Sequence, residues 1–134
     1  MNTLNPYLTF NGNCLEAMEF YKSCLGGKLD VSTFGEAPGE MTDEEKDLIM
    51  HARLESEGII IMASDTNTKN GDVNFGSNIS LNINTNDVAT AEKLYAALAN
   101  GGKETMPLQE TFWGATFGML TDKFGLHWMI NCQL

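Results

Sequence analysis

The chemistry available to this chain rests on two histidines, an arginine beside one of them, a pair of methionines and an aromatic run. His51 and Arg53 are separated by one residue, so in an extended strand they share a face, opposite Ala52 and Leu54. An imidazole can take or give a proton near neutral pH. A guanidinium can hold a carboxylate or phosphonate in a two-pronged hydrogen bond, or pair with one of the chain's own acids. His127 stands two residues before Met129 and points to the same side. Two histidines alone make neither a triad nor a ligand set, so the plainer reading of each is a hydrogen-bonded or rim histidine. Phe112, Trp113 and Phe117 lie beside Gly114 and Gly118. They could wall a flat apolar ligand that approaches the glycine backbone, or pack in a core or dimer contact. Ser64 and Cys132 sit in no nucleophile elbow or Cys/His pair. No paired carboxylates suggest acid–base work, and Asp43-Glu44-Glu45 reads as a helix start facing solvent.

The elements that must position these groups occur twice. Pro6 to Phe10 alternates and ends at Asn11-Gly12-Asn13, a strand and a turn. Asn13 is expected to cap a helix, with Glu16 in capping-box position. Cys14, Ala17, Met18, Tyr21, Cys24 and Leu25 form its apolar face, and Gly26-Gly27 ends it before Lys28. In the second half Asn78 to Ile83 alternates, Thr85-Asn86-Asp87 gives a turn and cap, and Val88, Ala91, Leu94, Tyr95 and Leu98 form the stripe. Gly101-Gly102-Lys103 follows, 75 positions after the first Gly-Gly-Lys. Three strand-like runs follow each helix: 29–34, 50–55 and 59–63, then 104–108, 115–121 and 126–131. Ser56-Glu57-Gly58 and Asp122 to Gly125 are the matching hairpin turns.

Both halves thus read β-α-β-β-β, an α+β chain built as one domain over 1–134, with module one at 4–64 and module two at 77–132. Side by side, two such modules would make a curved eight-stranded mixed sheet with helices outside and a concave pocket inside. Thr9, Ser80 and Asn82 would then also face the pocket and orient polar ligand groups. Two segments fall outside the repeat. Gly35 to Lys46 ends in a Thr42-Asp43-Glu44-Glu45 capping box for a short helix, and Ser64 to Gly76 is a polar linker or lid.

Bulk properties exclude several partners. A net charge of −10, from 8 Lys and Arg against 18 Asp and Glu, disfavours nucleic acid and anionic membrane surfaces alike. No run approaches the ~20 apolar residues of a membrane span, and the first residues resemble no signal peptide. Cys14, Cys24 and Cys132 are odd in number and fit no zinc spacing. They are expected as free thiols in a reducing cytoplasm, with Cys14 and Cys24 as small buried apolar groups.

Several stretches together carry a family resemblance. Pro6 to Cys14 through Ala17, then Phe20-Tyr21 and Leu25-Gly26-Gly27, resemble the opening of PhnB/YjdN-like proteins. So do Ile49 to Ala52, Met62-Ala63-Ser64-Asp65, Gln109 to Gly114, Thr121 to Gly125 and Trp128 to Asn131. The resemblance spans nearly the whole chain and implies the glyoxalase/bleomycin resistance/dioxygenase (vicinal oxygen chelate) superfamily, its fold and a homodimer. Names in the PhnB-like branch borrow from phosphonate operons and from a ubiquinone methyltransferase. Here no strand leads into a Gly-rich loop and a ribose-binding acid, so an S-adenosylmethionine site is not expected.

The superfamily's enzymes bind a divalent metal at the start of each module's first strand and in each module's last strand. Those positions fall here on Asn5, Met62, Asn78 and Met129. Amides and thioethers suit a hard or borderline divalent ion poorly, so no metal and no cofactor is expected. The resemblance therefore implies a small-molecule-binding protein, with Thr9, His51, Arg53, Met62, Asn78, Ser80, Phe112, Trp113, His127 and Met129 as pocket candidates. The alternative is a divalent-metal lyase, isomerase or dioxygenase with a displaced ligand set that includes His51 and His127. A ligand-free structural dimer is the third class.

Overall fold

The computed structural model of the chain describes residues 2–36, 39, 43, 45–66 and 72–133. They fall into two compact units, Met1–Asn74 and Phe75–Leu134. The first contains β1 (Tyr7–Phe10), α1 (Cys14–Leu25), β2 (Lys28–Thr33), a 3₁₀ turn at Phe34–Glu36, β3 (Ile49–Ser56) and β4 (Ile59–Asp65). The second contains β5 (Leu81–Thr85), α2 (Val88–Ala99), β6 (Lys103–Glu110), β7 (Ala115–Thr121) and β8 (His127–Gln133). Each unit is a βαβββ module with a four-stranded mixed sheet, ordered β1-β4-β3-β2 in one and β5-β8-β7-β6 in the other. The first and last strands pair parallel and the remaining neighbours antiparallel.

Alternation sends one face of each sheet to its helix. In module one Leu8, Phe10, Ala52, Leu54, Ile61 and Ala63 are buried with Cys14, Ala17, Met18 and Tyr21 of α1. In module two Leu120, Trp128, Ile130 and Cys132 are buried with Ala91, Tyr95 and Leu98 of α2. Cys14 and Cys132 are buried free thiols as expected of small apolar groups, whereas Cys24 is only half-buried.

The second glycine of each Gly-Gly pair lets two backbones meet. A Cβ on Gly27 would strike the Glu55 carbonyl, and one on Gly102 the Thr121 carbonyl. Each helix exit therefore folds directly onto the strand leading into its module's hairpin turn. Gly118 serves packing as well, not a ligand. Its missing Cβ leaves room for the Tyr95 ring, which would lie 2.8 Å away, and for the Leu108 backbone. The Tyr95 hydroxyl there donates toward the Met106 and Met119 carbonyls at 2.9 and 3.1 Å. Burial, and then the nearby Glu104 charge, push the phenol up from its ordinary value.

Two local expectations are corrected. Asn13 makes no side-chain bond to the start of α1. Its cap comes from Asp65, 51 residues away in sequence from Cys14. Parallel pairing sets Asp65 beside Phe10, where the chain turns into α1. One carboxylate oxygen accepts the Gly12 and Cys14 amides at 3.0 and 2.9 Å, and the other accepts the Ile49 amide at 2.9 Å. In module two Asp87 caps α2 locally, accepting the Thr90 amide at 3.0 Å and its hydroxyl at 2.6 Å. Those two Thr90 bonds, the hydroxyl's first, draw the Asp87 carboxyl below its ordinary value. The second correction is β5. It begins at Leu81, not Asn78, because its ladder with β8 opens at Leu81–Trp128. The Thr42-to-Glu45 capping box and the middle of the Ser64-to-Gly76 linker lie outside the described residues.

Candidate functional site

In module one the sheet face away from α1 gathers four of the candidates. Cross-strand register places Tyr7, Met62, Arg53 and Asp30 in one row across β1, β4, β3 and β2. The adjoining row runs Thr9, Ser64, His51 and Ser32, with Thr9 paired to Ser64 and Ser32 to His51. Thr9, His51, Arg53 and Met62 thus share one surface, as strand alternation requires. Tyr7 joins them although the candidate set omits it. Its hydroxyl lies 3.4 Å from His51 Nδ1, and the two rings are 5.9 Å apart and tilted by 36°. Arg53 donates through one terminal nitrogen to Glu55 at 3.0 Å.

In module two His127 and Met129 share the face away from α2, with Asn82 beside Met129 and Thr121 beside His127. His127 is fully engaged. Its Nε2 lies 2.8 Å from the Gly76 carbonyl, which can only accept, so Nε2 carries hydrogen. Nδ1, at 2.9 Å, then accepts from the Thr121 hydroxyl in the neutral ring. Asn78 and Ser80 are exposed and precede β5, so they stand outside the sheet face that holds Met129. Phe112 is 98% exposed and Trp113 51%, on the turn between β6 and β7. They meet edge-on at 5.1 Å, and Trp113 reaches the Phe117 ring at 6.0 Å.

The repeat resets the expected metal register. Met62 faces Tyr7 and Met129 faces Asn82, and these partners are 75 positions apart, the spacing of the Gly-Gly-Lys pair. Asn5 therefore corresponds to Ser80, not to Asn78. At Asn5, Met62, Ser80 and Met129 the donors are an amide, a hydroxyl and two thioethers, which do not fit a hard or borderline divalent ion. Among the described residues no group of three or more His, Cys, Asp or Glu is placed to hold a metal. An open cleft of about 1030 Å³ lies at the β3–β4 turn, lined by Leu25, Lys28, Glu55, Ser56 and Ile60 among others. It holds none of the pocket candidates, but Lys28, Glu55 and Ile60 of its lining form the row next to Arg53 on the same sheet face, so the cleft opens beside the candidates.

Two βαβββ modules of this topology define the glyoxalase/bleomycin resistance fold. A glyoxylase/bleomycin resistance protein/dioxygenase domain from Frankia sp. EAN1pec superposes over all of this chain and 98% of its own, with TM-score 0.71 at 15% identity. That likeness speaks to fold alone. Residues 2–131 match the sequence profile of the family described as 3-demethylubiquinone-9 3-methyltransferase, and the chain belongs to this PhnB-like family. Protein YjdN of Escherichia coli K12 is 37% identical over 96% of this chain and 93% of its own. The crystal structure of protein PA1353 from Pseudomonas aeruginosa is 46% identical, covers 99% of this chain and 98% of its own, and has TM-score 0.89. Among the described residues no helix is long and apolar enough to cross a membrane.

Proposed function

We propose that the chain is a cytoplasmic, homodimeric small-molecule-binding protein that works without the superfamily's divalent metal. The observation that carries this reading is the module-one face, where Tyr7, Thr9, His51, Arg53 and Met62 stand together with hydrogen-bonding groups around an apolar centre. The amide, hydroxyl and thioether donors at the repeat-matched positions support the metal-free part. The engagement of both His127 nitrogens counts against a displaced metal set, since a metal would have to break one of those bonds. Methyl transfer, the activity in the family's description, is not part of the proposal. A cofactor's anionic group is commonly held at a helix start. Here Asp65 takes the Cys14 amide at the start of α1, and Asp87 takes the Thr90 amide in the first turn of α2.

Metal analysis of the purified protein beside His51→Ala and His127→Ala tests the metal-free part. Substoichiometric metal in all three is expected, whereas stoichiometric Zn, Fe, Mn or Ni lost in His51→Ala favours a metalloenzyme. A melting screen across small metabolites tests binding. A ligand at one hundred times its Kd adds about 2.7 kcal/mol, which for a chain of this size is on the order of 8 °C. No stabilisation by any compound would leave a structural dimer as the better reading.

A further inference from the structure

We infer that the module-one face recognises a small carboxylic acid with an apolar body, its carboxylate taken by Arg53 and His51 together. This rests on the binding reading above and adds the ligand's chemistry. Arg53 is the only arginine in the chain, and it stands in the row between Met62 and Asp30. One of its terminal nitrogens meets Glu55, an ion pair with side chains 38% and 56% exposed. Such an exposed pair contributes little and yields readily to a better-placed anion. The rest of the guanidinium fork keeps the planar donor geometry that fits a carboxylate.

The two histidines differ in a way that selects His51. His127 spends both ring nitrogens on its own module. His51 spends Nδ1 on the Tyr7 hydroxyl, and the described residues give Nε2 no partner. In the tautomer whose Nδ1 accepts the Tyr7 hydrogen, Nε2 carries the ring hydrogen and is a second donor on the Arg53 face. His51 and Arg53 are two residues apart on one strand, roughly 6.7 Å between Cα atoms. The longer Arg side chain can close that gap around one carboxylate. Met62 lies between Tyr7 and Arg53 in the row, so a thioether and a phenol ring floor the space beside the two donors. An apolar ligand body fits that floor, and the donors fit an anionic head.

The test uses phenylacetate against phenylacetamide, which share a body and differ in charge. Binding to the full-length protein is followed by ¹H–¹⁵N NMR titration, with imidazole resonances assigned. The acid is expected to shift the His51 signals and to bind at least about tenfold more tightly than the amide, the scale of one charge-assisted hydrogen bond. Arg53→Met should abolish that preference. Glu55→Gln should strengthen acid binding, because it frees the guanidinium, and it keeps the inference refutable if Arg53→Met is unstable. Equal binding of acid and amide overturns it, as does a preference that survives Arg53→Met or acid binding that does not improve in Glu55→Gln. If phenylacetate does not bind while other compounds raise the melting temperature, the carboxylate inference fails and the binding reading stands. If nothing binds in either experiment, both fail.

Discussion

Removing the Asp65 carboxylate should be among the most damaging single changes in module one. Its two oxygens accept three backbone amides, from Gly12, Cys14 and Ile49. The Cys14 and Ile49 bonds are buried and the Gly12 bond partly so. In Asp65→Ala the two buried donors lose their only side-chain acceptor, at roughly 1–3 kcal/mol each, while Gly12 can turn to water. The expected loss is therefore about 2–6 kcal/mol. Asp65→Asn keeps one carbonyl oxygen for the Gly12–Cys14 pair but sets an NH₂ against the Ile49 amide, so about 2 kcal/mol should be lost. Urea unfolding at pH 7 measures both, with an unchanged m-value showing that the native fold is retained. Because Ile49 opens β3, Asp65→Asn should also loosen the path to His51, read as faster hydrogen exchange at Ile49. An Asp65→Ala variant within about 1 kcal/mol of the parent, or one no worse than Asp65→Asn, would show that water replaces the carboxylate and that the cap is not structural.

Gly118→Ala should cost about 1–3 kcal/mol, because its methyl would stand 2.8 Å from Tyr95 Cε2 and 2.9 Å from Leu108 Cα. Urea midpoints measure it, and a neutral result would mean that Tyr95 can leave its two carbonyls without penalty. Cys14 makes the fold sensitive to alkali, since burial first and the Asp65 charge second push its thiol from 9.0 up to about 12. The folded thiol holds its proton to higher pH than the unfolded one. Its contribution is thus whole below about pH 9 and is lost as pH rises toward 12. Urea midpoints at pH 8, 9 and 10 should fall less steeply in Cys14→Ala than in the parent, and parallel slopes would rule the thiol out as the cause.

The repeat, both helices and all eight strands were legible because each depends on local periodicity, which the apolar spacing at Cys14, Ala17, Met18 and Tyr21 displays directly. The cap of α1 was not. Asn13 has the right residue type in the right place, and only the parallel ladder shows that Asp65 already fills the role. The start of β5 misled for a similar reason. Ile79, Leu81 and Ile83 alternate, but Ile79 lies outside the ladder and is 65% exposed, since strand length is set by the partner β8. The grouping of Thr9, His51, Arg53 and Met62 followed from alternation within strands and was readable. Tyr7 was missed, although the 75-residue offset, applied consistently, sets it opposite Met62 as Asn82 stands opposite Met129. The occupation of His127 by Gly76 and Thr121 had no sequence signal, because it depends on how one loop carbonyl lies against β8.

A chain that has copied itself carries its own control experiment, and the Gly27 and Gly102 crossings show what that experiment reports. Where main chain presses on main chain, both copies still spell Gly-Gly-Lys. On the sheet surfaces, where only side chains project, one copy shows a phenol and a guanidinium beside its imidazole and the other an amide and a hydroxyl beside its own. The surface of either half can therefore differ without any change in its scaffold. Grafting the first copy's surface onto the second would leave every such crossing untouched.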